Sequence, residues 1–236
     1  RIAQRLISAL TISTRRGPLY EVDMRLRPSG GKGPLATQFT SFIDYQTKEA
    51  ETWEHMALTR ARPVAGNDQL AAQTSDAIRS FLMRRRGGTL RKDVFGMRRL
   101  ITQAKGDADP WDLKLAAGGL IDIEFLAQYL LLRHADAEPS LVCVSTLAVI
   151  ETAAARGLLG AESARVLVNA HRLFSDVTQF LRLTLDPGIR PRAANEAVKR
   201  RLAKVAGQPD IGRLEGRLCD MRADVRRVFD NVLSPR

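Results

Sequence analysis

The sequence predicts a mainly α-helical protein: a small α/β piece with one or two strands, followed by a helical bundle. Three observations lead there. Beyond residue 65, apolar residues recur at helical spacing through nearly the whole chain. Near the start, one segment alternates with a period of two instead. Gly and Pro then punctuate the periodic runs, leaving pieces of element length between them.

The elements follow in order. Ile2, Leu6, Ala9 and Leu10 predict a helix that ends before Arg15-Arg16-Gly17-Pro18. Residues 19–26 alternate strictly: Tyr20, Val22, Met24 and Leu26 point one way, Glu21, Asp23, Arg25 and Arg27 the other, as in a strand. Pro28-Ser29-Gly30-Gly31-Lys32-Gly33-Pro34 is a loop, and a helix is expected over 40–62 with Phe39, Ile43, Trp53 and Met56 to bury. Helices over 68–85 and 90–104 are separated by Gly87-Gly88. A short strand over 111–115 closes at Gly118-Gly119, and a mostly buried helix follows over 120–135. The next helix, 145–156, stops at Gly157, a good C-terminal cap. Val166, Ala170, Leu173, Val177, Phe180 and Leu181 stripe one face of a helix over 161–185, and 187–191 is a connector. Helices over 193–206 and 210–233 finish the chain. In the last, Ile211, Leu214, Leu218, Met221, Val225, Val228 and Val232 step alternately by three and four. Such a seam closes an intramolecular bundle or pairs two chains in a coiled coil. The texture change puts the domain boundary near residue 65, giving 1–65 and 66–236.

Composition narrows the function classes. The 236 residues include 37 Lys+Arg against 26 Asp+Glu, a formal charge of +11, with 44% hydrophobic and 27% charged residues. These are values of a globular chain with a real core. No run approaches the ~20 apolar residues of a membrane helix. Cys143 and Cys219 lie far apart and form no disulfide or zinc pattern, so the chain reads as cytoplasmic with reduced thiols. Of the basic residues 30 are Arg, which fits a phosphate-bearing partner or simply an Arg-rich genome. Nucleic acid is disfavoured, because aromatics are 6% of the chain and no stacking motif accompanies the arginines.

Chemistry has few places to sit. A carboxylate at Asp23 beside Arg25 and Arg27 suits phosphoryl or nucleotidyl transfer, the acid holding Mg²⁺ and the guanidiniums neutralising phosphate. The same alternation also describes a solvated strand face with cross-strand ion pairs. Gly30-Gly31-Lys32-Gly33 lacks the spacing and the Ser/Thr of a phosphate loop. Asp112 and Lys114, if extended, share a face ahead of the double-glycine turn. Asp122 and Glu124 lie on different sides of the following helix, where an acid in the first turn also simply suits the dipole. His55, His134 and His171 are too scattered for a metal motif.

Four ordered stretches carry a family resemblance. Tyr20-Glu21-Val22-Asp23-Met24-Arg25-Leu26-Arg27-Pro28-Ser29-Gly30 resembles a hallmark of the glutamine synthetase adenylyltransferases. Trp53-Glu54-His55 through Ala61-Arg62, Asp112-Leu113-Lys114 through Gly119, and Asp122-Ile123-Glu124-Phe125 match in the same order. The spelling is closer to the C-terminal, adenylylating half of that family. The resemblance implies that 1–65 is the C-terminal part of a partial, nucleotidyltransferase-like α/β domain and 66–236 a helical bundle. It implies ATP as donor, Mg²⁺ as cofactor, a tyrosine of glutamine synthetase as acceptor and the PII signalling protein as regulator. Asp23 matches a metal-binding catalytic acid, and Arg25 and Arg27 beside it are expected on the triphosphate. Lys114 is a further phosphate candidate, while Asp112, Glu124 and a buried, ion-paired Arg62 are expected to brace the structure. The family's Gly-Ser-Asp-Leu-Asp-type motif has no counterpart, since no Asp precedes Asp23. One acid cannot hold two metals, so this chain alone is expected to be inactive. The alternative reading is a helical module that binds glutamine synthetase or PII without catalysis.

Overall fold

The computed structural model describes residues 1–15, 17–24, 26–105, 109–186 and 188–234. Arg16, Arg25 and Pro187, which the sequence places in a turn, a strand and a connector, lie outside the described residues. The chain is mainly α and divides into two compact units, Arg1–Phe81 and Leu82–Arg236. Among the described residues no helix is long and apolar enough to cross a membrane.

In the first unit, α1 (Ile2–Leu10) ends where the Thr11 hydroxyl donates to the Ile7 carbonyl at 2.8 Å. A tight antiparallel pair follows, β1 (Ser13–Thr14) with β2 (Gly17–Pro18), turned by Gly17 at φ +101°. Leu19 N–H to Ile12 O and Tyr20 N–H to Leu10 O continue the pairing, and there it stops. Among the described residues the strand expected over 19–26 is therefore not formed: residues 20–24 have no regular structure. Alternation alone cannot make a strand, because each needs a neighbour's row of N–H and C=O groups. Beyond Tyr20 no backbone continues the ladder among the described residues.

The single helix expected over 40–62 is two, α2 (Phe39–Lys48) and α3 (Thr52–Leu58). The N–H groups of Glu49 and Ala50 share the Tyr45 carbonyl and end α2. Glu51 and Glu54 then form a reciprocal capping box that starts α3 three residues later. α4 (Asp68–Leu82) begins at Asn67, whose side-chain oxygen accepts the Leu70 N–H, and packs Phe81 edge-on to Phe42 at 6.2 Å.

The second unit is a helical bundle. Its members are α5 (Leu90–Lys105), α6 (Leu120–His134), α7 (Thr146–Ala155), α8 (Ala161–Thr184), α9 (Glu196–Val205) and α10 (Ile211–Leu233). Ser145, Asn195 and Asp210 cap α7, α9 and α10 by accepting N–H groups three residues on. α6 is the axis: Ile123, Leu126, Leu130, Leu131 and Leu132 are all buried, and it packs on α5, α7, α8 and α10. The short strand expected over 111–115 is instead a series of turns, because Asp112 and its neighbours bond locally. The α8 stripe faces the core, though buried Leu167 and Phe174 carry more of it than half-buried Phe180 and Leu181.

The α10 seam is spent inside the bundle. Leu214, Leu218 and Val225 of the seam are fully buried, with Phe229 beside them, against α5, α6, α8 and α9, so the seam closes an intramolecular core. Leu218→Ala is expected to cost about 2–5 kcal/mol by loss of transfer energy and an unfilled cavity. Urea unfolding of the variant measures it.

Candidate functional site

In the first unit the side chain of Arg27 organises the segment that carries Asp23. Its Nη1 donates to Met24 O at 2.8 Å, its Nε to Gly33 O at 3.2 Å and its Nη2 to Gly31 O at 3.3 Å. One planar guanidinium thus gathers both ends of the 24–33 loop. The loop is tightly wound: Ser29 and Gly30 have φ of 59° and 53°. A Cβ on Gly33 would lie 2.1 Å from the Pro28 carbonyl oxygen, so only glycine fits there. Asp23 is exposed beside this clamp and engaged by neighbouring groups. Arg25, its expected companion, lies outside the described residues.

Trp53-Glu54-His55 builds the corner between α2 and α3. Buried Glu54 accepts the Tyr45 hydroxyl at 2.7 Å through Oε1 and the Glu51 N–H at 3.0 Å through Oε2. Trp53 donates its indole N–H to Glu51 at 3.0 Å, and buried His55 meets the Gln46 carbonyl at 3.3 Å. The hydrogen bond to the Glu54 carboxylate, and then burial, raise the Tyr45 hydroxyl above its ordinary pKa. Arg62, expected to be buried in an ion pair, is exposed where the chain leaves α3 for an irregular segment at Pro63.

In the second unit the sequence gives Asp112 and Lys114 a shared face, and the structure corrects this. Asp112 Oδ1 accepts the N–H groups of Lys114 and Leu115 at 3.2 and 2.8 Å, a local turn that replaces the extended strand. Lys114 is exposed, and Glu124 is half-buried on α6 and engaged.

The buried polar centre lies elsewhere, at a pair that sequence reasoning missed. Arg98 of α5 is 1% exposed and Asp122, in the first turn of α6, is 0% exposed. Arg98 Nε is bonded to Asp122 Oδ1. Its Nη1 donates to Thr102 Oγ1 at 2.7 Å, and its Nη2 to the Leu115 and Ala116 carbonyls at 2.9 and 3.1 Å. The other oxygen of Asp122 accepts the Gly118 N–H at 2.7 Å and Arg226 Nη1 of α10 at 3.4 Å. Arg226 also pairs with Asp230 at 2.7 Å and lies over the Phe229 ring at 4.9 Å. Arg222 donates to the Ala117 carbonyl at 3.1 Å. The double glycine is what lets α10 come this close: Gly118 has φ +75°, and a Cβ there would lie 1.9 Å from the Arg222 carbonyl oxygen. The sequence signal was a Gly-Gly turn with an acid at the third helical position; its partner was one Arg among thirty.

A metal site needs several ligands converging. Among the described residues no group of three or more His, Cys, Asp or Glu does so, and the residues around Asp23 do not by themselves fit a metal ion. Their chemistry is that of an exposed acid beside an arginine-braced loop.

Two family models match the chain. Residues 1–77 match one described as glutamate-ammonia ligase adenylyltransferase, and residues 97–233 match one described as GlnD PII-uridylyltransferase. The chain is similar to a bifunctional glutamine synthetase adenylyltransferase/adenylyl-removing enzyme of Bradyrhizobium diazoefficiens. The two are 49% identical over 234 residues, which is 99% of this chain and 24% of the relative. Relatives of the same name from Rhodopseudomonas palustris and Xanthobacter autotrophicus are 46% and 47% identical, with the same coverage. The chain therefore spans about a quarter of the length of the curated relatives it matches.

Two measurements check the geometry. Arg98→Met leaves Asp122 buried without its main partner and is expected to cost about 3–5 kcal/mol, read by chemical unfolding. Tyr45 holds its proton more tightly folded than unfolded, so its contribution is complete below the ordinary tyrosine pKa near 10.0 and is lost as pH rises through the raised folded value. The urea midpoint should fall more steeply above that pH in the unsubstituted chain than in Tyr45→Phe.

Proposed function

The chain belongs to the glutamine synthetase adenylyltransferase family, and on that premise we propose that it is a portion of an enzyme transferring AMP from ATP to a tyrosine of glutamine synthetase. The carrying observation is the alignment of 99% of the chain with relatives bearing that name. In this reading residues 1–65 are the C-terminal part of a nucleotidyltransferase domain and 66–236 the helical bundle beside it. Mg²⁺ accompanies ATP, and the setting is the cytoplasm, where glutamine synthetase is met.

Surface chemistry supports an incomplete domain at the start of the chain. Ile2, Leu6, Ile12, Leu19, Tyr20 and Leu26 are all more than half exposed, and α1 buries none of its residues. A short helix with an uncovered apolar face gains little in water, so this face fits a longer polypeptide that covers it. In that setting Asp23 is one carboxylate of a site whose other acids come from outside this chain. Arg25 is proposed for the triphosphate. Arg27 is proposed to shape the loop, with its remaining N–H donors available to phosphate. Lys114 is proposed as a further phosphate candidate, and Asp112 and Glu124 as supporting residues.

A second reading is favoured by the match of residues 97–233 to a model described as GlnD PII-uridylyltransferase. In it the helical unit is a module that binds PII, or glutamine synthetase, without itself catalysing. The two readings separate in one experiment. The isolated chain is assayed for AMP transfer, and the chain is also grafted in place of the matching quarter of the Bradyrhizobium diazoefficiens enzyme. The isolated chain is expected to be inactive and the graft active, with Asp23→Asn lowering kcat of the graft at least 100-fold, about 2.7 kcal/mol. A graft whose turnover ignores Asp23→Asn overturns the catalytic assignment. PII binding to the isolated chain without nucleotide favours the module.

A further inference from the structure

The end of α8, the connector after it and the 109–111 turn line a cleft of about 520 Å³ in the second unit. That size falls within the roughly 300–1,000 Å³ of small-molecule sites. Its apolar wall is Trp111, Leu181, Leu185, Ile189 and Pro191. The cleft has no part in the adenylyl-transfer reading above and is independent of it.

Backbone bonds hold the walls. Leu185 leaves α8 in an extended conformation, and Gly188 takes φ +91° as the Ile189 N–H closes a turn on the Asp186 carbonyl at 3.1 Å. In the 109–111 turn the Trp111 backbone N–H donates to Asp109 Oδ1 at 2.9 Å, and Arg222 of α10 donates to the Asp109 carbonyl at 3.4 Å.

The protein leaves two features of this lining unsatisfied. The indole N–H of Trp111 is closed off from solvent and has no acceptor among the described residues, whereas buried indole donors ordinarily have one. The guanidiniums of Arg182 and Arg190 are exposed and bond to no described residue. The lining acids do not balance them. Asp109 already has Arg222 beside it, which leaves Asp186 against both arginines.

We propose that this cleft binds a small organic anion, an apolar body carrying one acidic group. The wall takes the body out of water, and the arginines take the acidic group through planar, paired N–H donors. An inorganic anion would leave the apolar wall wet, and a neutral hydrocarbon would leave the arginines unmatched.

The test uses the full chain and naphthalene-2-sulfonate as the probe. The chain has two tryptophans, Trp53 and Trp111, hence two indole N–H signals by NMR, which Trp53→Phe tells apart. The probe is expected to shift the Trp111 signal saturably and leave that of Trp53 in place. By isothermal titration, sulfate and neutral 2-naphthol should each bind at least about tenfold more weakly than the probe. The probe itself should lose at least about tenfold in Arg182→Ala/Arg190→Ala. The control Arg200→Ala/Arg201→Ala, on the exposed side of α9, removes the same charge and should leave affinity within about twofold. An unmoved Trp111 signal overturns the site. Equal losses from the two double variants mean diffuse attraction to a +11 chain and overturn it as well. Sulfate or 2-naphthol matching the probe, or poly-L-glutamate displacing it at an equal concentration of acidic groups, overturns the class of ligand.

Discussion

The second unit depends on one desolvated ion pair, Arg98 with Asp122. Burying a guanidinium and a carboxylate costs several kcal/mol each unless nearly every donor and lone pair is used. Here they are used. Arg98 serves Asp122, Thr102 and two carbonyls of the 115–116 turn, and Asp122 also takes a glycine N–H and a second arginine. The pair therefore fixes three things together: the α5–α6 contact, the path of the turns before α6, and the seat of α10. Apolar residues of similar volume would hold α5 and α6 together without dictating that path.

The first unit is organised on the same principle at smaller scale. Arg27 spends donors on carbonyls of its own loop, and Glu54 ties Tyr45 to the start of α3. Side chains that looked like site chemistry are in both units largely occupied with shaping backbone. The buried centre lies inside residues 97–233, the stretch that matches the second family model, so a framework of this kind belongs to the helical part.

The helical elements were legible because their signals are local and redundant. The α10 seam repeats over six turns, and Ser145, Asn195 and Asp210 mark helix starts by residue type. Two kinds of information were out of reach. Strand formation at 19–26 depends on a neighbour, which alternation cannot supply. Long-range pairing is equally silent: Asp122 reads as an ordinary first-turn acid, and nothing near Arg98 singles it out from Arg99. The α2–α3 break lay between. Glu51 and Glu54 have capping-box spacing, but the apolar residues on either side continue a helical period across it.

The contact between Gly118 and the Arg222 carbonyl oxygen has a consequence for the order of folding. Arg226 and Asp122 are 104 residues apart in sequence. On a ribosome, α5 and α6 emerge long before α10, so Asp122 must wait with one lone pair facing water. Until α10 is made, the Gly-Gly turn is a notch with nothing seated in it. Closing the bundle is therefore a late, non-local event, since the side of α6 that α10 covers is open until α10 is made.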